Sequence, residues 1–83
     1  MRVKIFVSLK NGVLDPQGKA VERSLQSLGY GEARDVRMGK YLELNMEAPS
    51  RDAAEARIRE MCDKLLANPV IEDYRFEIED GTP

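Results

Sequence analysis

Cys62 is the single thiol in an 83-residue chain that contains no histidine. A thiol acts as nucleophile or metal ligand in its thiolate form, which a neighbouring base or cation must favour. No imidazole is available to do so. The spacing of Cys62 from Ala54, Ile58 and Met61 instead puts it on the apolar stripe of a helix, where a cysteine behaves as a small core residue. The carboxylates Glu72, Asp73, Glu77, Glu79 and Asp80 could offer oxygen ligands to a divalent cation. Alternation with Tyr74, Phe76 and Ile78 explains them at least as well as the wet face of a strand. Gly29-Tyr30-Gly31 follows a helix and does not open one, so it is no phosphate cradle. Neither a catalytic residue nor a metal site is expected.

What remains is chemistry of contact. Asn11-Gly12 is a turn signal. Asp15 is placed to cap a helix, with Pro16 at the first helical position, where its missing N–H costs nothing. Asn11, Gly12, Asp15, Pro16, Gln17 and Gly18 together form a rigid loop that a partner could dock on. Gly39 and Lys40 form a second candidate contact. Lys40 intrudes on an otherwise apolar parity and either snorkels or pairs with a carboxylate of another subunit. Phe6 and Tyr41 break the polar face of their strands and are candidates for an interface between copies.

Composition narrows the classes. A net charge of −2 and a pI near 5.1 lack the basic field of a nucleic-acid binder. No apolar run approaches the length of a membrane span, and the N-terminus leads straight into strand alternation rather than a signal peptide. One unpaired cysteine fits a reducing compartment, so a cytoplasmic protein is expected. A chain of 83 residues forms one domain, here 1–83, and buries little surface alone. With no disulfide to help, oligomerisation is the expected source of added stability.

The elements that position these residues follow from periodicity. Val3, Ile5, Val7 and Leu9 alternate with polar residues as a strand. Val21, Leu25 and Leu28 mark a helix after Asp15-Pro16, stopped by Gly29, with Tyr30 folding back on Leu25. Val36, Met38, Leu42, Leu44 and Met46 share one parity. They form one long strand bent at Gly39 or, less simply, a hairpin around Gly39-Lys40. Ser50 caps a second helix with Ala54, Ile58, Met61, Cys62 and Leu65 buried; Asn68-Pro69 ends it, and a last strand runs to Glu79. The fold is therefore α+β: a two-layer sandwich of order β-α-β-α-β, or ferredoxin-like β-α-β-β-α-β, with two helices on one face of a largely antiparallel sheet. The other face is left for a second copy.

Three passages carry a resemblance: Val13-Leu14-Asp15-Pro16-Gln17-Gly18, Asp35-Val36-Arg37-Met38-Gly39-Lys40-Tyr41-Leu42-Glu43, and Met61 to Tyr74 with its Ala67-Asn68-Pro69-Val70-Ile71-Glu72 core. In length and motif order, from about Val3 to Glu79, the chain resembles the small PurS subunit of phosphoribosylformylglycinamidine synthase. The resemblance implies a non-catalytic adaptor between a glutaminase subunit and an ATP-dependent synthetase subunit. It also implies help with ammonia transfer, and self-association as a dimer or tetramer. ATP and magnesium would belong to the synthetase partner, with no cofactor here. On that basis, alanine at Lys40 or a bulky residue at Gly18 should weaken assembly and spare the fold. The rival class is a small dimeric ligand-sensing module.

Overall fold

Val3, Ile5 and Val7 alternate along β1 (Arg2–Leu9), and all three are buried. In this computed structural model, which describes Met1–Glu79, β1 is the middle strand of a three-stranded sheet. Asp80, the last of the acidic group, and the tail to Pro83 lie outside the described residues. β2 (Gly39–Asn45) and β3 (Glu72–Glu79) flank β1, and each runs antiparallel to it. The register sets Ile5 between Leu42 and Phe76, and Val3 between Leu44 and Ile78, so one face of the sheet is apolar. The α+β, β-α-β-α-β reading holds.

The two helices meet different demands. β2 and β3 are parallel to each other with β1 between them, so the chain must cross the sheet to get from one to the other. α2 (Arg51–Met61) is that crossover, capped by Ser50 Oγ, which accepts from Ala53 N–H at 3.1 Å. It lies on the apolar face and buries Ala54, Ile58 and Cys62 against Val3, Ile5, Val7 and Ile78. β1 and β2 are antiparallel neighbours, with Ser8 opposite Gly39, and need no crossover. Residues 10–38 therefore leave and re-enter the sheet at the same end.

That excursion carries α1 (Pro16–Ser27), stopped as the sequence predicts. Gly29 adopts φ 103°, Tyr30 N–H donates to the Leu25 carbonyl at 2.9 Å, and Gly29 N–H donates to the Gln26 carbonyl at 3.1 Å. Among the described residues, no side chain between Ser8 and Tyr41 belongs to the core or packs against it. α1 buries only Gly18. α1 thus stands off the sheet as an arm, and the radius of gyration is 16.3 Å, against about 12 Å for a compact chain of this length.

Two further expectations change. The middle strand starts at Gly39 and includes neither Val36 nor Met38. Asp35 takes a positive φ of 55°, and the Met38 N–H goes to a side chain, not to a strand neighbour. Leu65, placed in the α2 stripe by its spacing, is 82% exposed. A π-helical turn at Cys62–Leu66, closed by Ala67 N–H to the Cys62 carbonyl at 2.9 Å, adds a residue to the turn. The phase slips, Leu65 swings out, and Leu66 and Ala67 pack inward in its place.

Candidate functional site

Among the described residues, the groups that the sequence offers for chemistry are held in other roles. Cys62 is fully buried, and burial, with Asp63 nearby, pushes its thiol pKa upward and away from the reactive thiolate. Among the described residues no group of three carboxylate or thiol side chains is placed to hold a metal ion. The acidic residues are spent elsewhere: Glu72 accepts from Asn68 N–H at 2.6 Å, Glu79 lies 2.7 Å from Lys4, and Glu77 lies 3.1 Å from Arg75.

The two contact candidates meet in space. Where the end of β1 and the starts of α1, β2 and β3 converge lies a groove of about 330 Å³, lined by Val7, Asp15, Gln17, Met38, Lys40 and Glu72. Asp15 is its hinge post. Only 7% exposed, it caps α1 by accepting from Gly18 N–H at 2.9 Å. Its other oxygen accepts from Met38 N–H at 2.8 Å, and Arg37 Nε stands 3.9 Å away. The N–H donors of Met38 and then Gly18, with a smaller contribution from Arg37, hold its carboxyl below the usual range. Gly18 is buried because the carbonyl of Val36 presses on its α carbon, leaving no room for a Cβ. A Cβ on Gly39 would likewise sit 2.5 Å from the Val7 carbonyl oxygen.

Lys40 bridges the groove. Its ammonium donates to the Leu66 carbonyl at 3.2 Å and lies 3.9 Å from Glu72. A cation here meets the negative end of the π turn that continues α2, where unpaired carbonyls collect. Within this chain, then, Lys40 already has an acceptor. Asn11 and Gly12 sit on an exposed turn closed by Val13 N–H to the Lys10 carbonyl at 3.1 Å, beside a second cavity on the far side of Asp15. Pro16 and Gln17 are exposed on the first turn of α1. Sequence reasoning missed Arg37, which donates to the carbonyls of Leu9 and Lys10 at 3.0 and 3.1 Å. Its signal was faint: an arginine two residues before the strand, opposite no obvious partner.

Phe6 and Tyr41 occupy the face without a helix. Their rings are 5.0 Å apart, and the Arg75 guanidinium lies 3.9 Å above Phe6. Around them Arg2 pairs with Glu43 and Lys4 with Glu79. This face is tiled by cross-strand charges that water can cover. The half-buried apolar residues Leu42, Leu44 and Met46 instead lie on the helix-bearing side, where they pack against the core. No described helix is long and apolar enough to cross a membrane.

Comparison with known proteins gives this architecture relatives. The family model described as PurS, phosphoribosylformylglycinamidine (FGAM) synthase, matches residues 2–80. The PurS subunit of Bacillus subtilis is 57% identical over 79 residues, covering 95% of this chain and 93% of the relative. The PurS subunit of Synechocystis is 53% identical over 75 residues, 90% of this chain and 75% of the relative. Among solved structures, Bacillus subtilis PurS superposes with a TM-score of 0.86 at 57% identity, covering 95% of this chain and 98% of its own. A chain of the PurLQS structure from Thermotoga maritima does so with a TM-score of 0.85 at 32% identity, covering 92% and 93%. With a matching family model, order of elements and length, the chain belongs to the PurS family of phosphoribosylformylglycinamidine synthase subunits.

Proposed function

We propose that this chain is the non-catalytic adaptor subunit of a phosphoribosylformylglycinamidine synthase acting in de novo purine biosynthesis in the cytoplasm. It would bridge a glutaminase subunit and an ATP-dependent synthetase subunit. One observation carries the reading: full-length likeness to PurS chains, one of them solved within a PurLQS assembly, joined to described residues that hold no reactive constellation. On this reading C–N bond formation belongs to the large subunits. The synthetase, with ATP and magnesium, activates the amide oxygen of formylglycinamide ribonucleotide. Ammonia released from glutamine then displaces phosphate to give the amidine.

The contribution of this chain is geometric. Ammonia near neutral pH is mostly ammonium and is lost to bulk water, whereas two docked enzymes keep it neutral and near its acceptor. Holding reactants together lowers a barrier by about 7–11 kcal/mol at the upper end. The groove of Asp15, Gln17, Gly39 and Lys40, with the neighbouring turn of Asn11 and Gly12, is the contact surface we assign to a large subunit. A second copy of the chain is the other partner, and Leu42, Leu44 and Met46 with the outer edge of β2 give it an apolar, unpaired strand to cover.

Reconstitution tests the reading. The purified chain should be inert alone and should raise glutamine-dependent amidine formation when added to the two large subunits. Glutamine-dependent turnover that is as fast without it would remove the adaptor role.

A further inference from the structure

Residues 16–38 are tied to themselves by one set of contacts and to the sheet by another. Within the excursion, Glu22 accepts from Val36 N–H at 3.2 Å, Gln26 donates to the Ala33 carbonyl at 3.1 Å, and Ala33 N–H donates to the Tyr30 carbonyl at 3.0 Å. These close α1 onto its return segment. Towards the sheet the described side-chain bonds converge on two residues. Asp15 holds the amides of Gly18 and Met38 together, and Arg37 holds the carbonyls of Leu9 and Lys10 at the end of β1. No apolar side chain of the excursion joins the core.

We infer that residues 16–38 form a lever that pivots as one body on the Asp15–Arg37 clamp while the sheet and α2 stay fixed. The physical reason is a contrast in what opening breaks. Swinging the arm breaks the two exposed bonds of Arg37 and the part-buried one from Met38 N–H to Asp15 and uncovers no apolar core, whereas disturbing the sheet exposes Val3, Ile5 and Ile58. Gly18 against Val36 keeps α1 and its return segment in step, so the arm moves without unravelling. The inference concerns the chain itself and does not depend on which enzyme docks.

Residue-resolved amide exchange on the full chain tests it in wild type, Asp15→Asn and Arg37→Met. Size-exclusion chromatography first checks that all three share one oligomeric state. The Met38 amide should exchange at least tenfold faster in both variants. Amides 22–28 inside α1 and those of the three strands should stay within threefold of wild type. Arg37→Met leaves the helix cap intact and so separates pivoting from loss of the cap. Nitroxides at Ser27 and Glu77 in a Cys62→Ala background, diluted with unlabelled chain, should give one narrow distance that broadens in both variants. Sheet amides that loosen together with the arm, an α1 that melts in Arg37→Met, or a distance that stays narrow would each overturn the lever.

Discussion

The α carbon of Gly18 rests against the carbonyl oxygen of Val36, closing the first turn of α1 onto the segment that returns to the sheet. From sequence alone, a bulky residue at Gly18 is a probe of assembly that spares the fold; this contact removes the second half of that expectation. A Cβ there would also lie 2.6 Å from Asp15 Oδ2, so both the cap and the return segment must shift. Overpacking of this kind costs about 1–3 kcal/mol. Gly18→Ala should therefore lower the thermal midpoint of the purified chain, before any partner is added. A midpoint equal to wild type would show that the arm yields at no cost.

Lys40 behaves in the opposite way. Its side chain is 56% exposed, and its partners are one carbonyl and a carboxylate 3.9 Å away. An exposed contact of this sort contributes at most about 1 kcal/mol. Lys40→Ala should fold with a nearly unchanged melting curve and yet co-elute less well with the two large subunits. Undiminished co-elution would take Lys40 out of the docking surface.

Leu65 and Leu66 show what was readable and what was not. Alternation located all three strands, and caps at Asp15 and Ser50 located both helix starts. Each of those signals is local. The π turn is not, since its extra residue is favoured by how Leu66 and Ala67 fit the sheet rather than by any nearby residue type. The arm escaped for a similar reason: an amphipathic stripe of Val21, Leu25 and Leu28 looks the same whether or not a sheet lies beneath it. Asp15 is legible as a helix cap, but Met38, whose amide it also holds, and Val36, whose carbonyl meets Gly18, are distant in the chain and carry no mark in the sequence. The phase slip predicts an asymmetry. Leu66→Ala should cost about 2 kcal/mol, the low end of the range for a core leucine, because Leu66 is only half-buried. Leu65→Ala should be within about 0.5 kcal/mol of wild type. Urea unfolding measures both, and equal losses would mean that the helix keeps its α register.

Self-association distinguishes the two faces of the sheet. If a second copy covers the β2 side that carries Leu42, Leu44 and Met46, then Leu44→Lys should shift sedimentation towards the monomer. Tyr41→Ser, on the charge-tiled face, should leave the oligomer intact. Tyr41 is 52% exposed and packs mainly on Phe6, so its loss need not disturb the fold. The reverse pattern, dissociation by Tyr41→Ser alone, would put the interface on the Phe6 face.

Acid should release the arm before it unfolds the sheet. The Met38 and Gly18 amides, with Arg37 behind them, depress the Asp15 pKa below its ordinary value. The unfolded chain therefore takes up this proton at a higher pH than the folded one. The clamp's contribution is complete above the ordinary carboxylate range and is lost as pH falls through the lower, folded-state value. Lys19, Glu22, Asp35 and Arg37 face this region from one flank, and Lys40 and Glu72 from the other. Because these charges also act on the clamp, the comparison must be with Asp15→Asn. Chemical-shift titration of the Met38 amide should give a transition below the ordinary carboxylate range in wild type that is absent from the variant, with strand amides unmoved over the same range. If Asp15→Asn shows the same transition, another carboxylate governs the arm and the clamp is not titrating through Asp15.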